Sequence, residues 1–327
     1  MEEMRIKTRV VGVDLSLDFT TIGIVNIRGK VIAKDTFATS DHQNISNFVS
    51  VLYERIKRLT EENGGIETIR SVGISAPSAN YKTGCIENAS NLPWKGVVPL
   101  AAMLRDRLGL AVAVANDGHV TGLGEQVFGS AHGLKDFVVM TFIRGGVGSS
   151  IVIGGKAHLG ANGFAGEIGH TCIVPDGRQC GCGHKGCLET YASTSGLVQT
   201  AVDMMKQSDQ PSLMRSVSHL NIQAVALCCQ KGDEMALEAV RKTGVILGRA
   251  LANYASTFNP EAIILTGDIL LVTEWMMPTV RQTIEDNVFH NLRGKVRVLA
   301  SILDEENRTL LGASALAWEV KEYSLFK

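Results

Sequence analysis

The sequence predicts an α/β protein made of two copies of one unit, with a cleft between two lobes. Three observations carry this. The order strand meander, helix, strand, helix, strand occurs twice in the chain. Its 327 residues are enough for two domains with cores of their own. Its 34 glycines gather in turns behind β-like runs, as in loops that approach a ligand by backbone.

In the first copy, residues 9–15, 21–27 and 30–34 read as three short antiparallel strands. A helix is predicted from about Asn44 to Glu62, because Ile45, Phe48, Val49, Val51, Leu52, Ile56 and Leu59 mark one apolar face. The strand Ser71–Ser75, a long loop, a helix near Pro99 to Arg107 and the strand Ala111–Ala115 complete the copy. The second copy begins with the strand Phe137–Ile143, turns at 144–148 and returns at Ser150–Ile153. Behind a loop rich in Cys and Gly come an amphipathic helix from Asp233 to Phe258 and a strand from Glu261 to Thr266. A helix near Glu274 to Asp286 and a strand from Lys295 to Leu299 follow. A last helix spans Thr309 to Tyr323. The small lobe is expected to hold 1–118 and 308–327, and the large lobe 119–307.

A formal net charge of −1 gives nucleic acid no electrostatic handle as a bulk partner. No apolar run approaches the roughly 20 residues that span a bilayer. The segment Met1–Lys7 is charged and has no signal-like apolar stretch, so a cytoplasmic protein is expected.

The chemistry concentrates in one loop. His170, Cys180, Cys182 and Cys187 crowd a Gly-punctuated stretch between Glu167 and Glu189. Thiolates and imidazole are the ligands that a structural Zn²⁺ prefers, and four of them close a tetrahedron. His184 is an alternative fourth ligand, and a Cys180–Cys187 disulfide is the competing account of the thiols. Cys85, Cys172, Cys228 and Cys229 read as small buried apolar residues.

Asn116 and Asp117 follow the strand Ala111–Ala115 directly. Ligands of open α/β sheets lie off the carboxyl ends of strands, so both side chains are candidates for a site. A carboxylate there can take the proton of a substrate hydroxyl as its oxygen attacks phosphorus. The simpler role is a cap on the helix that begins near Gly118. Asn91, in the run Asn91-Leu-Pro-Trp94, has an amide that can bridge two vicinal hydroxyls. Glu167, His170 and Glu189 add hydroxyl-binding groups if the metal loop faces the cleft.

The run Gly160-x-x-Gly163-Phe-Ala-Gly-Glu-Ile-Gly-His170, followed by Cys-Gly-Cys-Gly-x-x-Gly-Cys-Leu-Glu189, resembles the signature of the ROK family of repressors and sugar kinases. Val114-Ala-Asn-Asp-Gly resembles its catalytic segment, Asn88 to Leu100 its sugar loop, and Leu310 to Ala317 its C-terminal helix. Within the family the wording is most similar to the glucokinases. The resemblance implies an actin-like, hexokinase-type fold (ribonuclease H-like) and ATP-dependent phosphorylation of a hexose, glucose first. It implies Asp117 as general base. Asn91, Asn116, Glu167, His170 and Glu189 would hold the sugar, and His170, Cys180, Cys182 and Cys187 the Zn²⁺. A homodimer or homotetramer is implied as well.

The nucleotide side departs from the family pattern. Where kinases of the family carry Asp-x-Gly-Gly-Thr, this chain has Asp14-Leu-Ser16-Leu17-Asp18. The lost glycines hinder close phosphate approach, and Asp18 would repel a polyanion. Asp14, which resembles the Mg²⁺-organising residue, is present. The second phosphate turn reads Arg144-Gly145-Gly146-Val-Gly148, and the third element reads Thr266-Gly267-Asp268. Two readings follow: a hexose kinase with an altered phosphate cradle, or a regulator that binds sugar without phosphorylating it. ROK repressors carry an N-terminal helix-turn-helix domain, for which a first strand at residue 9 leaves no room, so direct DNA binding is not expected.

Overall fold

The computed structural model describes residues 7–89, 92–143 and 145–320. In chain order they form strands β1 (Arg9–Leu15), β2 (Phe19–Asn26) and β3 (Val31–Ala38), helix α1 (Ile45–Glu61) and strand β4 (Ile69–Ser75). Short strands β5 (Ala79–Asn80), β6 (Cys85–Glu87) and β7 (Val97–Val98) precede α2 (Leu100–Leu108), β8 (Ala111–Ala115) and α3 (Asp117–Phe128). Next come β9 (Phe137–Ile143), β10 (Gly146–Ile153) and β11 (Lys156–Ala157). Four helices follow: α4 (Glu189–Ala192), α5 (Thr194–Gln207), α6 (Ile222–Gln230) and α7 (Glu234–Phe258). Strand β12 (Ala262–Gly267), helix α8 (Thr273–Asn287), strand β13 (Val298–Ala300) and helix α9 (Arg308–Glu319) end the series.

The chain divides into two compact units. One holds the described residues up to His132, Leu159–Phe164 and those from Ile302. The other holds Gly133–His158 and Ala165–Ser301. The first unit has a sheet ordered β3-β2-β1-β4-β8, and the second a sheet ordered β11-β10-β9-β12-β13. In each, an antiparallel meander supplies three strands, a fourth strand adds in parallel to the first strand of the meander, and a fifth adds in parallel to the fourth. That is the duplication expected from the sequence.

Local chemistry explains the elements. Strands β9 and β12 are largely apolar and are buried on both faces, whereas β3, at a sheet edge, alternates exposed and covered residues. Asn44 caps α1 by accepting from Ser46 N and Asn47 N. Asp233 caps α7 by accepting from Ala236 N at 2.9 Å, and Asn259 ends that helix in the left-handed region. The loop expected between β4 and α2 contains the small sheet β5-β6-β7, whose strands are too short to leave a period in the sequence. Strand β13 covers Val298–Ala300, so Lys295 and Arg297 precede it. The last helix ends at Glu319, because Val320 turns to extended backbone, which is earlier than the expected Tyr323; residues 321–323 lie outside the described residues.

Helix α9 lies directly on the first sheet. Ser71 Oγ donates to Ala317 O at 2.6 Å. At Gly73 a Cβ would stand 2.0 Å from Ala313 O and 2.7 Å from Ala317 N, so only glycine lets helix and strand backbones approach this closely. Gly73→Ala must push α9 off the sheet. It is expected to lower stability by about 2–3 kcal/mol, read as an earlier midpoint in urea unfolding, and an unchanged midpoint would contradict this packing account.

Candidate functional site

The first unit contributes acids at one end of its sheet. Asp14 pairs in register with Ser75, and Ser75 with Ala115, so Asp14 and the residues after β8 leave the sheet on one row. Asn116 takes the cap role, its Oδ1 accepting from His119 N at 2.8 Å. That leaves Asp117 as the first residue of α3, where helix N-terminal amides favour a carboxylate. Its Oδ1 accepts from Gly118 N at 2.8 Å, and it is half-buried. His119 is buried and meets Tyr81 edge-on, with ring centroids 5.3 Å apart. Burial lowers its pKa from 6.5 to about 4, so the ring is neutral near pH 7.

The turn between β1 and β2 is closed by its own bonds. Ser16 Oγ and Ser16 N both donate to Phe19 O, at 2.8 and 3.0 Å, and Thr39 N donates to Asp18 O at 2.9 Å. None of its residues has a positive φ. The large side chains of Leu17 and Phe19 stand exposed around Asp18.

In the second unit, an irregular run carries Glu167, His170 and the cysteines, and buried groups fix it. Ser149 Oγ, on β10, donates to Gly166 O, next to Glu167. Tyr254, on α7, donates to Ile168 O at 2.9 Å and shares a 2.6 Å bond with Thr171 Oγ1, which brackets His170. Arg178 ties the loop to α4 and α5. Its guanidinium donates to Thr190 O, Gly196 O, Thr200 Oγ1 and Asp203 Oδ2 at 2.8–3.1 Å and lies 4.7 Å over the Tyr191 ring. Glu189 Oε2 accepts from Val147 N at 2.9 Å, linking the start of α4 to the turn into β10. Ser149, Arg178 and Tyr254 were not singled out from the sequence. Their partners are backbone carbonyls and distant helices, which no spacing rule reveals.

Of the expected nucleotide-side residues, Gly145 lies in the turn after β9, Gly146 and Gly148 lie within β10 opposite Ile143 and Thr141, and Arg144 lies outside the described residues. Asn91 also lies outside them. Gly267 has φ +96°, and a Cβ there would come within 2.2 Å of Phe142 O. Packing between β12 and β9 therefore demands this glycine by itself.

The ligand atoms of His170, Cys180, Cys182 and Cys187 all lie within 4.8 Å of one another. Cys182 and Cys187 sulfurs are 3.6 Å apart, as are His170 Nδ1 and Cys180 Sγ. A tetrahedral Zn²⁺ with bonds of about 2.3 Å sets its sulfurs about 3.8 Å apart. The donor set thus fits such an ion, and a disulfide, with sulfurs about 2.05 Å apart, is not formed: all seven cysteines are free. His184 lies outside the group of four, although its Nδ1 is 3.6 Å from Cys182 Sγ. Burial pushes the Cys187 thiol up to about 12, while hydrogen bonds from the His184 backbone and side chain draw Cys182 down to about 6. A divalent ion is the charge that lets such unlike thiols ionise together.

These features, a duplicated α/β fold with strand-end acids in one unit and a Cys₃His knot between carboxylates in the other, define a class that comparison identifies. The ROK family model matches residues 10–320. The chain belongs to the ROK family. It is 30% identical over 281 residues to a glucokinase of Halalkalibacterium halodurans, covering 84% of each chain. It is 27% identical over 315 residues to a xylose repressor of Caldicellulosiruptor bescii, covering 94% of this chain and 77% of the repressor. Among solved structures, a ROK family glucokinase from Streptomyces griseus in complex with glucose and AMPPNP superposes with a TM-score of 0.77 at 29% identity. That match covers 95% of this chain and 100% of the other. The fold is thus the actin-like, hexokinase-type fold. Among the described residues, no helix is long and apolar enough to cross a membrane.

The buried His119 gives stability a pH dependence. The unfolded ring takes a proton near 6.5 and the folded one only near 4. Its contribution is therefore complete above pH 6.5 and is lost as pH falls towards 4. Wild type is expected to lose about 2 kcal/mol from this group by pH 5. Urea unfolding at pH 7.5 and pH 5, run beside His119→Phe, checks it. Parallel loss in both proteins would place the effect elsewhere.

Proposed function

We propose that the protein is an ATP-dependent hexose kinase, with glucose its leading substrate and Asp117 its general base. The observation that carries this reading is Asp117 itself. It is a half-buried carboxylate off the end of a parallel strand, with capping of its helix left to Asn116. Asp117 takes the proton of a hexose hydroxyl while that oxygen attacks the γ-phosphorus of ATP, and ADP departs. Asn91, Asn116, Glu167, His170 and Glu189 hold the remaining hydroxyls, and the half-buried Glu189 is already oriented by Val147 N. Asp14 would organise Mg²⁺, and Arg144 with Gly145, Gly146, Gly148 and Gly267 would border the phosphates. His170, Cys180, Cys182 and Cys187 would hold a structural Zn²⁺, which gathers the loop and takes no part in the transfer.

The self-bonded turn at Ser16–Phe19 favours a second reading, a sugar-binding regulator without turnover. Its Ser16 amide is already spent on Phe19 O, and Asp18 adds negative charge beside any phosphate there. Repressors in the family match this chain about as well as glucokinases do.

Transfer from labelled Mg·ATP to a panel of hexoses separates the two. A kinase yields sugar-dependent product, and Asp117→Asn is expected to lower kcat by about 10²–10⁴-fold. A regulator yields none and gains thermal stability from the sugar but not from ATP. For the metal, elemental analysis of protein purified without chelator is expected to find one zinc per chain, lost in Cys182→Ser. Zinc-free wild type would refute the assignment.

A further inference from the structure

We propose that the turn Asn80–Lys82 is a positioning clamp, which fixes the run 159–164 beside the helix that begins at Asp117 and so sets the approach to Glu167. This inference rests on the hexose reading above. Residues Leu159–Phe164 belong to the first unit, while their neighbours His158 and Ala165 belong to the second. A six-residue run with such a membership needs something to hold it, and it has no regular structure of its own.

The clamp takes three consecutive carbonyls. Lys82 Nζ donates to Gly160 O and to Ala161 O, the latter at 2.9 Å. Asn80 Nδ2 donates to Asn162 O at 3.1 Å. Asn80 is only 3% exposed, and its Oδ1 accepts from Lys82 N at 3.0 Å, so both ends of the amide are engaged. The next residue, Gly163, has φ +88°, and a Cβ there would stand 2.4 Å from Asn80 Oδ1. Only a glycine passes that point.

Between the two clamping residues, Tyr81 packs edge-on against His119. His119 is the third residue of α3, and its backbone N–H is the one that Asn116 caps. One tripeptide therefore grips the 159–164 run on one side and the first turn of the Asp117 helix on the other. Downstream, Gly166 O is held by Ser149 Oγ, so only Phe164 and Ala165 separate the clamped Gly163 from a second fixed point, and Glu167 comes next. With so short a stretch between them, a displacement of the run pulls on the Gly166 anchor beside Glu167. Lys82 itself is exposed, and water can replace its bonds to the carbonyls. Its loss should free the run and leave the fold intact.

The test uses the full chain as wild type, Lys82→Met, Lys82→Arg and Asn80→Ser, with amide hydrogen exchange and calorimetric titration with glucose. In Lys82→Met, exchange across 159–167 is expected to rise about tenfold, with the rest of the chain and the melting temperature unchanged. Glucose affinity is expected to fall about tenfold, and Lys82→Arg should restore both. Unchanged exchange in both Lys82→Met and Asn80→Ser would show that no clamp exists, whatever the sugar result. Raised exchange with unchanged glucose affinity would leave a clamp that positions nothing, which overturns the proposal alone. Failure of the wild type to bind any hexose would remove the hexose reading and the positioning role with it.

Discussion

Between β11 and α4 the chain must hold its polar backbone still with almost no regular secondary structure, and most of the second unit's chemistry depends on how it does so. Helices and sheets satisfy backbone donors and acceptors internally, but an irregular loop must borrow partners. Here Ser149 comes from a strand, Tyr254 from the long helix α7, and Arg178 reaches out of the loop to α4 and α5. Several of these bonds end beside a candidate site residue: Gly166 before Glu167, Ile168 and Thr171 around His170, Thr190 after Glu189. The four candidate metal-ligand side chains then need little further movement to close on an ion, since their donor atoms already lie within 4.8 Å. A metal placed there locks a loop that hydrogen bonds have shaped beforehand.

Duplication explains why the two units resemble each other in topology and differ in chemistry. Both sheets carry a meander with two parallel strands added. In the first unit the row Asp14, Ser75, Ala115 brings acids to the strand ends. In the second the equivalent region, around β9 and β12, brings glycines: Gly145, Gly146 and Gly267. Acids suit proton transfer and cation binding, whereas glycine backbone suits the close approach of an anion.

How much of this was legible depended on the range of each interaction. The strands buried on both faces, and helices such as α1 with its cap at Asn44, announced themselves through local patterning. The grouping of His170, Cys180, Cys182 and Cys187 was legible because thiol and imidazole at close spacing have few other uses. The strands β5 to β7 were not, since two or three residues cannot establish a period. Nor could spacing reveal Arg178, Tyr254 or Asn80, whose partners are backbone carbonyls distant in sequence or in fold. Asn116 and Asp117 looked like a cap or a site; the hydrogen bonds divide the work, with Asn116 capping and Asp117 left at the first turn.

The glycine positions separate two causes that sequence alone runs together. Gly267 lies between Thr266 and Asp268, where a pair of glycines would match the family pattern, and the one retained is the one that Phe142 O leaves no room to replace. At Ser16 and Leu17 no backbone packing demands glycine, and the turn closes on Phe19 O with ordinary φ values. Glycine persists where the fold requires it and is absent where a phosphate would have been the reason for it. Glu189, a sugar-side residue on the kinase proposal, is oriented by Val147 N, a bond that does not involve the β1–β2 turn. On the kinase proposal, a phosphate donor would be held at the glycines around the start of β10, because the β1–β2 turn is already closed on its own backbone.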